Sequence, residues 1–438
     1  MLPPLLVQAD IRALAGVCMG LWKIFGPLMT FKVTMMFDAS PSYTLWRALE
    51  MTRTSAIIDR VAEVKIGDGI MAHKKTPYLL SPALFTLVKA VPAMRQLHTI
   101  HLSHIILPRM YLDTILSSPH LIHLIFDTVR LPKTGKIPPP KLRKLTLIAS
   151  FPWEASQTLI DQLAASLEYF EVRECLFRAL TPFKLPRFPC LRELRYHQYC
   201  IHDTVASESY IHSLFRVGSQ VTHLHLHLAG YSDIRIAAAL PKSLQHLSIE
   251  ESMLRGQIWD TTTFRSLISL TILCFHERPT YQFPTRVICD HFPEITSLHL
   301  IIPWPLRNLA LQVARSQPNV QALKLDINTR IGLNDDTRMV MWNCQVEIAN
   351  CGFSNAMLPS ALQSLRLDVV QTSCQFEQSI ACCAQWIDNY VLPPVTGLGG
   401  PRLKVIDASF TGPESRLARE RVLWKQWIKS PNDDWQMD

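Results

Sequence analysis

The chain has 438 residues, 48% of them hydrophobic and 18% charged, with only 15 Gly, so it is neither a disordered polymer nor one small domain. Its formal charge of +8 is dispersed, with no basic arm or stripe, which argues against nucleic acid as a partner. Eleven cysteines, an odd number at irregular spacing with no C-x-x-C, read as buried free thiols in a reducing compartment and not as a disulfide or zinc framework.

The opening residues carry no basic n-region, and Asp10 and Arg12 interrupt them, unlike a signal peptide. No window reaches the roughly 18 apolar residues of a membrane-crossing helix, so the expectation is a cytoplasmic or nuclear protein without a membrane partner. Ile11, Leu14, Ala15 and Cys18 have helical spacing and lead to Trp22; residues 27–34 then read as a strand. Together they make a short helical segment over residues 1–37. Residues 44–66 hold a helix-like run and the triplet Val61/Val64/Ile66. Leu84, Leu87 and Val88 mark a helix, and residues 94–102 repeat the triplet in a frame ambiguous by three residues.

From residue 121 the pattern apolar-x-x-apolar-x-apolar is insistent. It reads Leu121/Leu124/Phe126, Leu142/Leu145/Leu147, Leu167/Phe170/Val172 and Leu191/Leu194/Tyr196. It continues through Val221/Leu224/Leu226, Leu244/Leu247/Ile249, Leu267/Leu270/Ile272 and Ile295/Leu298/Leu300. Val320/Leu323/Leu325, Leu362/Leu365/Leu367 and Leu403/Ile406/Ala408 complete it. The first positions lie 21 to 30 residues apart as far as Val320, then 42 and 41. This is the period of a leucine-rich repeat, with two enlarged copies. Alternate residues of a strand face one side, so the second and third apolar positions point inward together, and one such strand buries its face only by stacking on copies of itself.

Proline supports the same frame. Pro119, Pro140, Pro189, Pro293, Pro318 and Pro401 each stand two residues before a first apolar position, where an element must end and a strand begin. Leu159/Ile160/Leu163/Ala164 and Ile211/Leu214/Phe215 read as intervening helices, and residues 375–392 as another. Residues 413–438 begin with Pro413 and Glu414 and read as a capping helix and tail, with Leu417, Val422, Leu423 and Trp427 over the last repeat. The predicted fold is α/β: a leucine-rich-repeat solenoid, a horseshoe with a parallel concave sheet and convex helices. Its domains are residues 1–37, a partial helical segment; 38–412, the solenoid; and 413–438, the cap.

The N-terminal segment in front of these repeats resembles the F-box of the large fungal families of F-box leucine-rich-repeat proteins. Leu2 and Pro3 match the family's opening Leu-Pro, and Ile11, Leu14, Val17, Cys18 and Trp22 match its later hydrophobic positions. The chain departs from the family in one place: only residues 4–9 stand between the opening and Asp10, where the family has a full helix. The resemblance implies a substrate-recognition subunit of an SCF-type ubiquitin ligase. Its partners would be a Skp-type adaptor with its cullin complex and an unknown protein substrate. The alternative is a repeat scaffold without adaptor docking, in which residues 11–25 simply cover the first repeat.

The repeat frame also writes out the predicted concave face. Tyr169, Glu171, Arg195, His197, His223, His225, His227, His246, Glu250, His299, Lys324 and Arg366 are its candidate partner-binding residues. Both signs of charge and many imidazoles suit a folded protein better than a phosphate backbone; the plainer alternative for each is a solvated sheet residue. His223, His225 and His227 on one strand invite a metal reading. Alternate strand residues are about 7 Å apart, however, too far to share an ion easily, so a surface that titrates between about pH 5 and 7 is the preferred reading and no metal or cofactor is assigned. There is no G-x-S-x-G, H-E-x-x-H or P-loop, and Gly397, Gly399 and Gly400 precede a strand where phosphate binding needs a helix. The expectation is a non-enzyme.

Overall fold

The structure is a computed structural model. It describes residues 31–36, 58–67, 82–132, 141–148, 153–173, 186–198, 220–228, 240–254, 264–273, 292, 294–302, 319–328, 361–370, 405–413, 420–429 and 435–437. The chain divides into two compact units, Met1–Gln198 and Tyr199–Asp438.

The first unit contains β1 (Phe31–Met36), β2 (Val61–Gly67), β3 (Thr99–Ser103), β4 (His123–Asp127), β5 (Lys144–Ile148), β6 (Tyr169–Arg173) and β7 (Glu193–Gln198). Each pairs in parallel with the next. The predicted register holds residue for residue. Ile100, Leu124, Leu145, Phe170 and Leu194 stand opposite one another along the ladder, as do Leu102, Phe126, Leu147, Val172 and Tyr196. All ten are buried. Leu97 is fully buried as the first position of its repeat, which resolves the frame of residues 94–102 as Leu97/Ile100/Leu102. Gly67 stands opposite Ser103, and a Cβ there would lie 2.8 Å from the serine's, so the close approach of these two strands requires glycine.

The second unit contains β8 (His223–Leu228), β9 (His246–Glu250), β10 (Ser269–Leu273), β11 (Ser297–Ile302), β12 (Ala322–Asn328), β13 (Ser364–Val370) and β14 (Val405–Pro413), again successively parallel. Leu224, Leu247, Leu270, Leu298, Leu323 and Leu365 form the matching buried column. A fully buried leucine or phenylalanine stabilises by about 1.5–3 kcal/mol relative to exposure, and stacking makes that burial available to every repeat.

Hydrogen bonds ahead of the strands repeat as faithfully as the apolar columns. One carbonyl accepts two successive amides of the next repeat. Arg143 O takes Glu168 and Tyr169 N–H at 2.8 and 3.0 Å, and Gln245 O takes Ile268 and Ser269 N–H at the same two distances. In three repeats a serine just before the first apolar position donates to the preceding repeat's carbonyl: Ser166 to Leu142, Ser243 to Val221 and Ser266 to Leu244, at 2.8 to 2.9 Å. These side chains tie together backbone that the ladder itself does not reach.

Among the described residues the α-helices belong to the first unit: α1 (Pro82–Ala90), α2 (Arg109–Leu116) and α3 (Trp153–Leu163). α1 buries Leu84 and Val88, and α3 buries Leu159, Ile160 and Leu163, as their spacing predicts. α2 was not anticipated; Tyr111, Leu112, Ile115 and Leu116 are its buried face, and Tyr111 meets Phe85 of α1 at 5.9 Å between ring centroids. The helices expected around Ile211 and over residues 375–392 lie outside the described residues.

Three expectations need correction. β1 pairs with β2, so the repeat sheet begins inside the segment 1–37 and not at residue 38. The cap predicted as a helix over 413–438 contains β15 (Glu420–Lys429), antiparallel to β14, and β16 (Trp435–Met437), antiparallel to β15. Val422, Trp424, Trp427 and Ile428 are strand-favouring types, and pairing satisfies the edge of β14 that a helix would leave open. Cys190, expected to be buried, is free and exposed, because it lies in the turn just before the first apolar residue of its repeat. No helix among the described residues is long and apolar enough to cross a membrane.

Candidate functional site

Each sheet turns its second and third apolar positions inward, so the residues between and beside them form a polar face. In the first unit the ladder aligns Thr146, Glu171 and Arg195 in one column, Lys144, Tyr169 and Glu193 in the next, and Arg173 with His197 in the third. In the second it aligns His225 with Ser248, and His299 with Lys324 and Arg366; His223 stands beside His246. The twelve face residues predicted from sequence thus lie on the expected strands, split between the two units. The adaptor-docking positions Leu2, Pro3, Ile11, Leu14, Val17, Cys18 and Trp22 lie outside the described residues.

Glu171 organises the face of the first unit. Its carboxylate accepts from the Tyr169 hydroxyl at 2.6 Å, from Arg173 Nε at 2.5 Å and from the Thr146 hydroxyl at 3.2 Å. His197 Nε2 is 3.9 Å away. Burial by itself raises this carboxyl's pKa, but the Tyr169 hydroxyl and the Arg173 and Arg195 guanidiniums outweigh it, and the group lies below its ordinary value. Tyr169 is pushed up in turn, by burial first and by its bond to the carboxylate second. His123 packs edge-on to the Tyr169 ring at 5.8 Å and contacts Thr146 at 3.1 Å. Burial, then the Lys144 ammonium, lowers His123 to about 4, so its ring is neutral at neutral pH.

One consequence corrects the sequence reading. Glu171 is 4% exposed and Glu250 3%, so neither is offered to a visitor. Glu171 lies beneath Tyr169 and Arg173, and Glu250 is buried beside Leu228 and Ser252, a difference that alternation along a strand does not encode. Tyr169, Arg195, His197, His223, His225, His227, His246, His299, Lys324 and Arg366 are half-buried, as side chains lying across a sheet are.

In the second unit the His223 and His246 rings stack at 4.1 Å with planes 17° apart, and His227 Nε2 meets the Ser248 hydroxyl at 3.1 Å. Face-to-face imidazoles aim their in-plane nitrogens side by side and do not converge on one ion. No cluster of three His, Cys, Asp or Glu among the described residues forms a metal-ligating set. Further along, His299 Nε2 lies 2.7 Å and Lys324 Nζ 3.0 Å from the Asp326 carboxylate. Burial raises Asp326, yet these two neighbours outweigh it and hold it below the usual carboxylate range. Glu250 differs: burial lifts it to about 7, only partly offset by the Leu228 backbone amide and the Ser252 side chain.

Sequence reasoning missed the opening of the face. Lys65 stands beside His101, which continues the Thr146–Glu171 column, and Lys32 pairs with Glu63 at 2.7 Å. The signal was present: Leu97 precedes Leu121 by 24 residues, within the range of the later repeats.

This register defines the class, a leucine-rich-repeat protein whose strands carry a polar face. No protein-family model and no curated protein matches the chain. Among solved structures it is similar to a chain of the Rad7 and Elc1 complex in yeast, with TM-score 0.38 and 13% identity over 82% of this chain and 88% of that one. It is also similar to a chain of the TLR13–ssRNA13 complex, with TM-score 0.29 and 12% identity over 72% of this chain and 48% of that one.

Proposed function

We propose that the protein is a substrate-recognition subunit of an SCF-type ubiquitin ligase. It holds a protein substrate on its polar repeat face while the F-box-like segment docks a Skp-type adaptor and its cullin complex. The observation that carries the reading is the continuous register from β2 to β7 and from β8 to β14, which sets Tyr169, Arg195, His223, His246, Lys324 and Arg366 on one side of their sheets. Rigid aromatic and arginine side chains on a preorganised surface are the usual anchors of protein interfaces. The F-box-like positions Leu2, Pro3, Ile11, Leu14, Val17, Cys18 and Trp22 supply the link to the adaptor. Such a protein works by positioning its substrate and performs no chemistry itself, in the cytoplasm or nucleus.

Co-purification of the full chain with a Skp-type adaptor tests this. The expected result is retention of the adaptor, lost in Leu14→Asp and kept in Arg195→Ala. No retention by the unaltered chain overturns it. A scaffold without adaptor docking is the second reading, favoured by the short spacing of residues 4–9; it expects a protein partner bound through the face with no adaptor present.

A further inference from the structure

Tyr169 is held as a plate on the first unit's face. Its hydroxyl is fixed by Glu171 at 2.6 Å and its ring meets His123 in a T-shaped contact. Two cations flank the ring from the strands on either side: Lys144 Nζ lies 5.8 Å and Arg195 Cζ 5.5 Å from its centroid.

The charges around the plate do not cancel. Glu171 is buried and matched by Arg173, and Glu193 is matched by Arg195 at 2.6 Å. Lys144 is exposed and has no ion pair among the described residues. The neighbouring His123 is neutral and adds no positive charge. The patch therefore carries one accessible, uncompensated cation beside a braced aromatic. A second cation, that of Arg195, is reachable only in competition with Glu193.

We infer that the β5–β7 patch seats an acidic segment of the protein partner, with one aspartate or glutamate carboxylate meeting Lys144 beside the Tyr169 ring and a neighbouring apolar side chain covering the ring. This rests on the reading that the face holds a protein. A repeating phosphate chain fits poorly, because Glu193 repels a polyanion where a single carboxylate passes beside it. The tyrosine, already ordered by Glu171, loses little freedom when it is covered.

The test uses the purified full chain and fluorescein-labelled peptides that alternate Leu with Glu, Gln or phosphoserine, read by fluorescence anisotropy. The Glu peptide binds and the Gln peptide does not. Lys144→Gln weakens binding about fivefold and Lys144→Glu more strongly, whereas Lys242→Gln, an exposed lysine of the second unit outside the polar face, leaves it unchanged. Lys144 is exposed, so its variants keep the fold, which circular dichroism checks. Equal binding of the Gln peptide, binding of the phosphoserine peptide alone, or equal losses in Lys144→Gln and Lys242→Gln overturns the inference. A chain that retains adaptor and substrate yet ignores the Glu peptide sinks this inference alone; one that binds the Glu peptide without retaining adaptor sinks only the ligase reading.

Discussion

Glu171 on β6 and Glu250 on β9 are both buried at the polar side of a sheet, one in each unit. Glu171 has a tyrosine, a threonine and an arginine on its oxygens and is held charged. Glu250 has only the Leu228 backbone amide and the Ser252 side chain, and its pKa rises to about 7. Nearly equal burial therefore accompanies pKa shifts in opposite directions. The number of donors facing the carboxylate decides which, because only they compensate lost hydration. The same contrast runs through the neighbours. The first unit braces its aromatic plate with ionic partners, whereas the second stacks two imidazoles and leaves a carboxyl almost alone.

The largest change expected is at the floor of the braced site. Phe170 lies between Tyr169 and Glu171 in sequence, is fully buried and stacks on Phe188 at 5.5 Å. Phe170→Ala should lower stability by about 3–5 kcal/mol in urea unfolding. A loss below about 1 kcal/mol would mean that the plate has no such floor.

Next is the pH dependence, where the two glutamates should part company. Glu250 is raised above its unfolded value of 4.5, so its contribution is present at lower pH and lost as pH rises through about 7. This is about 3 kcal/mol of stability declining between about pH 4 and 7, and Glu250→Gln should flatten that slope in thermal unfolding. Glu171 is lowered, so its contribution is present above 4.5 and lost on further acidification; Glu171→Gln should remove that acid-side loss. Identical slopes for the two variants would dissolve the comparison.

The smallest effect concerns backbone. His104 and Thr128 follow β3 and β4 at the same repeat position, each with φ of 54°, the left-handed region. Threonine is branched at Cβ and fits there poorly, whereas asparagine is tolerated. Thr128→Asn should stabilise by about 0.5 kcal/mol, measured by the same unfolding curves.

Leu124, Leu145, Leu194, Leu224 and Leu247 were placed in their columns from spacing alone. A two-residue alternation repeated at a near-constant interval admits one parallel register, and shifting any strand by one residue would send its leucines outward. α2 escaped because its apolar residues lie between two strand triplets and were not separated from them. β15 was misread because Leu417, Val422, Leu423 and Trp427 satisfy a helical face while Val422, Trp424 and Ile428 satisfy a strand, and the composition alone does not choose. The edge of β14 chose.

What the amino-acid order determined by itself was which residues point inward, since that depends only on periodicity and on apolar surface leaving water. What only the tertiary structure decided was the fate of the polar residues between them. Lys144 stays exposed and Glu171 lies beneath its neighbours, and the Glu171 and Glu250 carboxyls shift in opposite directions, because accessibility and ionisation depend on side chains that neighbouring strands, distant in sequence, bring within hydrogen-bonding distance.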